Sequence, residues 1–133
     1  MKIHEFDLQD VLKEQECKGG YAYLAAPYSD PDIAIRLQRV DNINRVAGHL
    51  IAAGVMLFSP ISHGHPIAMT VELPTDYAFW QRHAECMLHG ASSIIILQLG
   101  GWAASEGITG EVEFADKLDL TVYVLDPLKA LSL

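Results

Sequence analysis

Five residues within one short segment have the types and spacing to do chemistry: Ser105, Gly107, Thr109, Gly110 and Glu111. They fall at the start of a helix predicted over about Thr109–Lys117. A helix start presents unpaired N–H groups and the positive end of the dipole, so it favours an anion. Small residues let a ligand come close to the backbone. Glu111 comes early in that helix, so its carboxylate can face the same pocket. Glu113, two residues on, falls roughly on the opposite side, and only one of the two can serve a common site. A simple capped helix accounts for the same residues, with Ser or Thr as N-cap and acids in the first turn. Glu106 weighs against a phosphate there, because it places negative charge beside the anion.

Other reactive or aromatic residues collect in loops. Tyr28 and Ser29 follow the first apolar run and either contact a substrate or shape the turn. His63 and His65 flank Gly64. No cysteine or third histidine lies at a matching spacing, so no metal site is expected. His65 is a candidate for recognising a base or sugar, against an ordinary loop histidine. Trp102 offers a flat face for a nucleobase, or anchors its loop on the domain. Arg36, Arg39 and Arg45 read as a solvated helix face, with Arg36 or Arg39 near enough to the helix start to reach a phosphate. Phe79 and Trp80 read as core or subunit interface.

The elements that must position these residues follow from the apolar pattern. Tyr21–Ala26, Val55–Phe58, Ser93–Leu97 and Thr121–Leu125 are compact apolar runs bounded by breakers and read as strands. Ile33, Leu37, Val40, Ile43, Val46, Ala47, Leu50 and Ile51 recur at helical spacing, with Gly54 as a stop. A second helix is expected from about Pro74 to His89, capped by Gly90, and the segment Ile61–Ala68 is expected to be a loop. Residues 1–20 read as an N-terminal appendage with one short helix, and residues 21–133 as the domain. The β-α-β-α-β-α-β order implies a single flavodoxin-like or Rossmann-like three-layer α/β domain with a short parallel sheet and right-handed crossovers. Ligands in such folds bind outside the carboxyl ends of the strands, where Pro27–Asp30, Ser59–His65 and Gly100–Gly107 lie.

Bulk properties narrow the function classes. A chain of 133 residues suits one domain. The formal net charge of −8 leaves no basic groove for nucleic acid. The apolar stretch Ile94–Leu99 is interrupted by Gln98 and is too short to span a bilayer, so no membrane partner is expected. Cys17 and Cys86 are far apart, which fits a reducing compartment, and a cytoplasmic location is expected.

The chain resembles the nucleoside 2-deoxyribosyltransferase-like superfamily, which includes 2'-deoxynucleoside 5'-phosphate N-hydrolases. Tyr23 in the first strand, the run Ser105-Glu106-Gly107-Ile108-Thr109-Gly110-Glu111 and Ala115 carry the likeness, over about residues 21–127. It is similar in finer detail to small uncharacterised bacterial and phage members. Those share Ala25-Ala26-Pro27-Tyr28-Ser29, Ser59-Pro60-Ile61 followed by His63-Gly64-His65-Pro66-Ile67, and Gly101-Trp102-Ala103-Ala104-Ser105.

The resemblance implies a nucleotide or nucleoside as the small-molecule partner and no cofactor. It implies Glu111 as a nucleophile that attacks the anomeric carbon and forms a glycosyl ester, resolved by water or a second base. It places Tyr23 near the nucleophile, able to hold it by a hydrogen bond. Ser105 matches the 5'-phosphate branch, where transferases have Asp. Ser105, Gly107, Thr109, Tyr28, Ser29, His65 and Trp102 are then the substrate-binding candidates. The superfamily often carries an Asp on the helix before the third strand. Here that place falls near His83-Ala84-Glu85, so Glu85 or Asp76 substitutes or the role is lost. Members of the superfamily are usually homodimers or larger, with a neighbouring chain completing the site. A non-catalytic nucleotide-binding module of the same fold is the competing reading. A flavin carrier ranks below both, because the first loop lacks a Ser/Thr-rich phosphate cradle.

Overall fold

The computed structural model describes residues 2–133. Its strands are β1 (Ile3–Glu5), β2 (Tyr21–Ala25), β3 (Leu57–Phe58), β4 (Ala91–Leu97) and β5 (Thr121–Leu125). The α-helices are α1 (Leu8–Lys18), α2 (Ile33–Ala52), α3 (Pro60–Val71), α4 (Tyr77–Leu88), α5 (Glu106–Lys117) and α6 (Pro127–Ala130). All strand pairs are parallel, in the order β1-β5-β4-β2-β3. This is the expected three-layer α/β architecture.

Alternation along the strands divides the core in two. Ala22, Leu24, Ile95, Leu97, Tyr123 and Leu125 face one side and pack against Val11 of α1, Ala130 of α6, and Ile43, Val46 and Leu50 of α2. Tyr23, Ala25, Ile94, Ile96 and Val122 face the other, against Ala84 and Leu88 of α4 and Ile108 and Ala115 of α5. The central strands β2 and β4 are buried on both faces, which explains their unbroken apolar runs. From β2 the chain crosses outward to β3; from β4 it crosses the other way to β5. The order therefore reverses between β2 and β4, and a crevice opens at their carboxyl ends.

The largest departures from the sequence reading are three. The helix expected within residues 1–20 is α1, but a strand precedes it and joins the sheet edge beside β5. Thr121 and Tyr123 of β5 both donate to the carboxylate of Glu14, and Val11 is fully buried, so α1 is bound into the domain. Three exposed residues carry no alternation by which β1 can be recognised. The loop expected at Ile61–Ala68 is part of α3, so His63 and His65 are helical. Pro60 starts that helix, where a missing N–H costs nothing. Gly64 and Pro66 look like breakers, but the indole of Trp80 lies over Gly64, 3.5 Å from where a Cβ would stand. Finally, α5 begins at Glu106 rather than Thr109, with Ser105 as its N-cap. Among the described residues no helix is long and apolar enough to cross a membrane.

Candidate functional site

A cavity of about 460 Å³ lies at the crevice between the carboxyl ends of β2 and β4. Its walls come from the loop after β2, Arg39 of α2, the inner face of α3, the face of α4 bearing Tyr77, Trp80, His83 and Ala84, and the stretch from Gly101 into the start of α5. The spacing of 77, 80 and 84 is the helical repeat that turns three side chains to one side.

Glu111 is at the centre. Its place in the second turn of α5 carries the carboxyl back toward the sheet, where it is buried yet lines the cavity. The Tyr23 hydroxyl donates to its Oε2. Oε1 has no hydrogen-bond partner among the described residues and lies 3.9 Å from the position a Gly107 Cβ would take. Burial pushes the Glu111 carboxyl up to about 8, and the Tyr23 hydrogen bond opposes that rise. Burial, then the Glu111 charge, drives the Tyr23 phenol far above its ordinary value, so it stays a donor. Glu113 is exposed on another side of α5, as its spacing predicts.

Ser105 and Gly107 line the cavity beside Glu111. The Ser105 Oγ accepts the Ile108 N–H at 3.2 Å, so the hydroxyl caps the helix while its own hydrogen stays available. The ring of Tyr77 covers this stretch of α5. A Cβ on Gly110 would stand 2.5 Å from that ring, so only glycine admits it. Burial and then the Glu111 charge raise the Tyr77 phenol to about 12, and its buried oxygen has no partner among the described residues.

The loop after β2 is pinned from both sides. Arg39 Nη1 donates to the carbonyls of Tyr28 (3.3 Å) and Ser29 (2.9 Å), and Nη2 to that of Gly100 (3.3 Å). The Ser29 hydroxyl donates to the Thr75 carbonyl at 3.0 Å, which ties the loop to the approach of α4. Tyr28 Oη and His65 Nδ1 are 2.6 Å apart.

Of the nine candidates read from sequence, Tyr23, Tyr28, Ser29, His65, Ser105, Gly107 and Glu111 line this one cavity. Thr109 and Trp102 lie outside it. The earlier start of α5 puts Thr109 one turn in, exposed, with its hydroxyl donating to the Ser105 carbonyl at 3.0 Å. Trp102 sits in a 3-10 turn (Trp102–Ala104) and packs against the α4–α5 side of the core, as a loop anchor does. Of the residues around the place expected for the helix acid, Asp76, His83 and Ala84 line the cavity and Glu85 does not. Tyr77 and Trp80 are cavity residues that sequence reasoning missed; their spacing with Ala84 was the available signal. Among the described residues no cluster of three or more His, Cys, Asp or Glu side chains is placed to hold a metal ion.

Residues 20–126 match the family model described as Domain of unknown function (DUF1937), and the chain belongs to that family. No curated protein matches it.

Proposed function

We propose that this DUF1937 chain cleaves the N-glycosidic bond of a nucleotide or nucleoside, with Glu111 as the nucleophile. The observation that carries the reading is the Tyr23–Glu111 pair: a buried carboxyl, held at one oxygen by a phenol, with its other oxygen at a cavity wall. In the first step Oε1 of the ionised carboxyl bonds to the anomeric carbon. The C–N bond breaks and its electron pair leaves with the base, which takes a proton from solvent water. In the second step water attacks the same carbon, the ester bond breaks, Glu111 regains its charge, and the proton lost by the water returns to solvent in place of the one the base took. A second base in place of water gives transfer. Tyr23 donates to the ionised form and so favours the state that attacks. Ser105 and the first amides of α5 supply donors suited to a 5'-phosphate.

A second reading, a nucleotide-binding module without turnover, has one observation in its favour. On α4 itself no carboxyl lines the cavity: of His83-Ala84-Glu85, His83 and Ala84 do and Glu85 does not. Incubation with a panel of nucleosides and 5'-monophosphates, followed by chromatography for free base, separates the two. Release of base by wild type and none by Glu111→Gln supports cleavage. Binding without release supports the module. A 2-fluoro sugar analogue with a good leaving base should leave a sugar adduct on the peptide containing Glu111, and an adduct elsewhere overturns the assignment.

The proposal extends to assembly. Ile67, Val71 and Phe79 are exposed apolar residues on α3 and α4, the helices that wall the cavity, and a second copy of the chain suits that face. Light scattering on a size-exclusion column tests it, and a monomer at high concentration refutes it.

A further inference from the structure

His65 stands on α3 next to Gly64, the residue on which the Trp80 indole lies. This side of the cavity is built of flat or small groups: Ile61, Gly64 and Ala68 from α3, and Trp80, His83 and Ala84 from α4, with the Trp80 and His83 rings edge to face. The cationic and helix-start groups, Arg39 and Ser105, belong to the other walls. A planar heterocycle therefore suits the His65 side, and the more polar sugar and phosphate suit the α5 side.

The hydrogen bond to Tyr28 decides which nitrogen of His65 carries the proton. Tyr28 Oη and His65 Nδ1 are 2.6 Å apart, and the two rings meet edge to face. A phenol is a far stronger acid than a neutral imidazole N–H, and an imidazole nitrogen a stronger base than a phenolic oxygen, so the phenol donates its single hydrogen to Nδ1. Nδ1 is an acceptor, and in a neutral ring the hydrogen sits on Nε2. Burial, then the charge of Arg36, lowers the His65 pKa and keeps the ring neutral.

We propose that Tyr28 holds His65 as an Nε2–H donor that reads an unprotonated acceptor, a carbonyl oxygen or bare ring nitrogen, on the leaving base. This rests on the N-glycosidase reading and adds to it a residue that selects the base. Donation to the base is worth most as the C–N bond breaks, because the departing ring gains electron density there. His65 touches the ligand; Tyr28 is a positioning residue that acts through it.

Two measurements test the proposal without turnover. The first is nitrogen-resolved NMR of the histidine rings in the ligand-free protein, with His65 identified by its absence in His65→Gln. The expected result is a proton on Nε2 and a bare Nδ1, with that preference lost in Tyr28→Phe. A proton on Nδ1 in wild type, or an unchanged tautomer in Tyr28→Phe, overturns the relay. The second is calorimetric binding of inosine 5'-monophosphate, of the free bases hypoxanthine and uracil, and of 2-deoxyribose 5-phosphate. His65→Leu should weaken the monophosphate and at least one base by about tenfold or more, as loss of a buried hydrogen bond does. His65→Gln, which keeps an amide donor, should recover most of that loss, and 2-deoxyribose 5-phosphate should bind unchanged. A loss confined to 2-deoxyribose 5-phosphate would place His65 on the sugar-phosphate instead and overturn the base assignment, as would no binding of any base. If base binding behaves as expected but no substrate is cleaved, the cleavage reading falls and the recognition reading stands.

Discussion

Tyr23 and Glu111 are 88 residues apart in the chain, yet the phenol of one donates to the carboxyl of the other. Tyr23 points from β2 toward the α4–α5 side of the sheet, and Glu111 descends from α5 onto the same side. The pair couples a buried acid to a donor that only its ionised form fully uses. Tyr23→Phe should therefore raise the Glu111 pKa further, since the bond it removes is the one lowering it. The expected outcome is a pH–rate profile displaced to higher pH, with turnover near neutrality reduced more than at pH 9. An unchanged profile would remove Tyr23 from the mechanism.

In the wild type the nucleophile must be ionised, and its pKa is about 8. Below that value kcat/KM for a cleaved nucleotide should rise about tenfold per pH unit, then level off above it. A rate independent of pH between 6 and 9 would mean that Glu111 is not the attacking group.

The same group links pH to stability. The folded pKa of Glu111 is raised above the ordinary 4.5, so the native state holds this proton more tightly than the unfolded chain does. Stability is retained at low pH and is lost as pH rises from about 4.5 through about 8. Glu111→Gln has no proton to lose. It should match wild type near pH 5 and exceed it in thermal stability at pH 9, by on the order of 4 kcal/mol. Equal melting curves at pH 9 would show that the carboxyl is better solvated than its burial implies.

Gly107 and Gly110 should respond differently to alanine. At Gly110 the new Cβ meets the Tyr77 ring at 2.5–2.8 Å, so the α4–α5 contact must open, at about 1–3 kcal/mol. At Gly107 the nearest neighbours are 3.5–3.9 Å away, an ordinary contact, and alanine favours the helix. Gly107→Ala should keep or slightly raise stability while narrowing the cavity and weakening ligand binding. Denaturant unfolding and calorimetry on both variants check the contrast.

Ser105→Ala should cost about 1 kcal/mol through the lost cap. If the hydroxyl also serves a 5'-phosphate, the variant loses affinity for a monophosphate and keeps it for the matching nucleoside. Equal losses for both would leave Ser105 as a cap alone.

Much of this arrangement was legible in the sequence, for identifiable reasons. The runs at β2, β4 and β5 are buried on both faces, so they read as strands without ambiguity, and their carboxyl ends locate the crevice. Glu111 was marked by its place near a helix start, and Tyr23 by the family likeness. Residues whose role depends on packing between helices were not legible. Gly64 and Pro66 read as loop residues because nothing in their own segment reveals the indole of Trp80 lying against α3. Trp80 read as core or subunit interface for the same reason. The choice between Trp102 as ligand platform and as anchor was open until the core around it was seen.

The edge position of β1 bears on solubility. β1 covers one side of β5, a strand of sequence TVYVL, through pairs running from Ile3↔Val122 to Glu5↔Val124. Stripped of β1, that β-branched strand would show a row of unpaired amides and carbonyls to any other chain, the usual route to strand-by-strand aggregation. β1 is itself a poor template: three residues long, wholly exposed, and ending in Glu5, whose carboxylate lies 3.8 Å from Lys129. The short N-terminal strand thus acts as a gatekeeper, exchanging a long, sticky edge for a short, charged one.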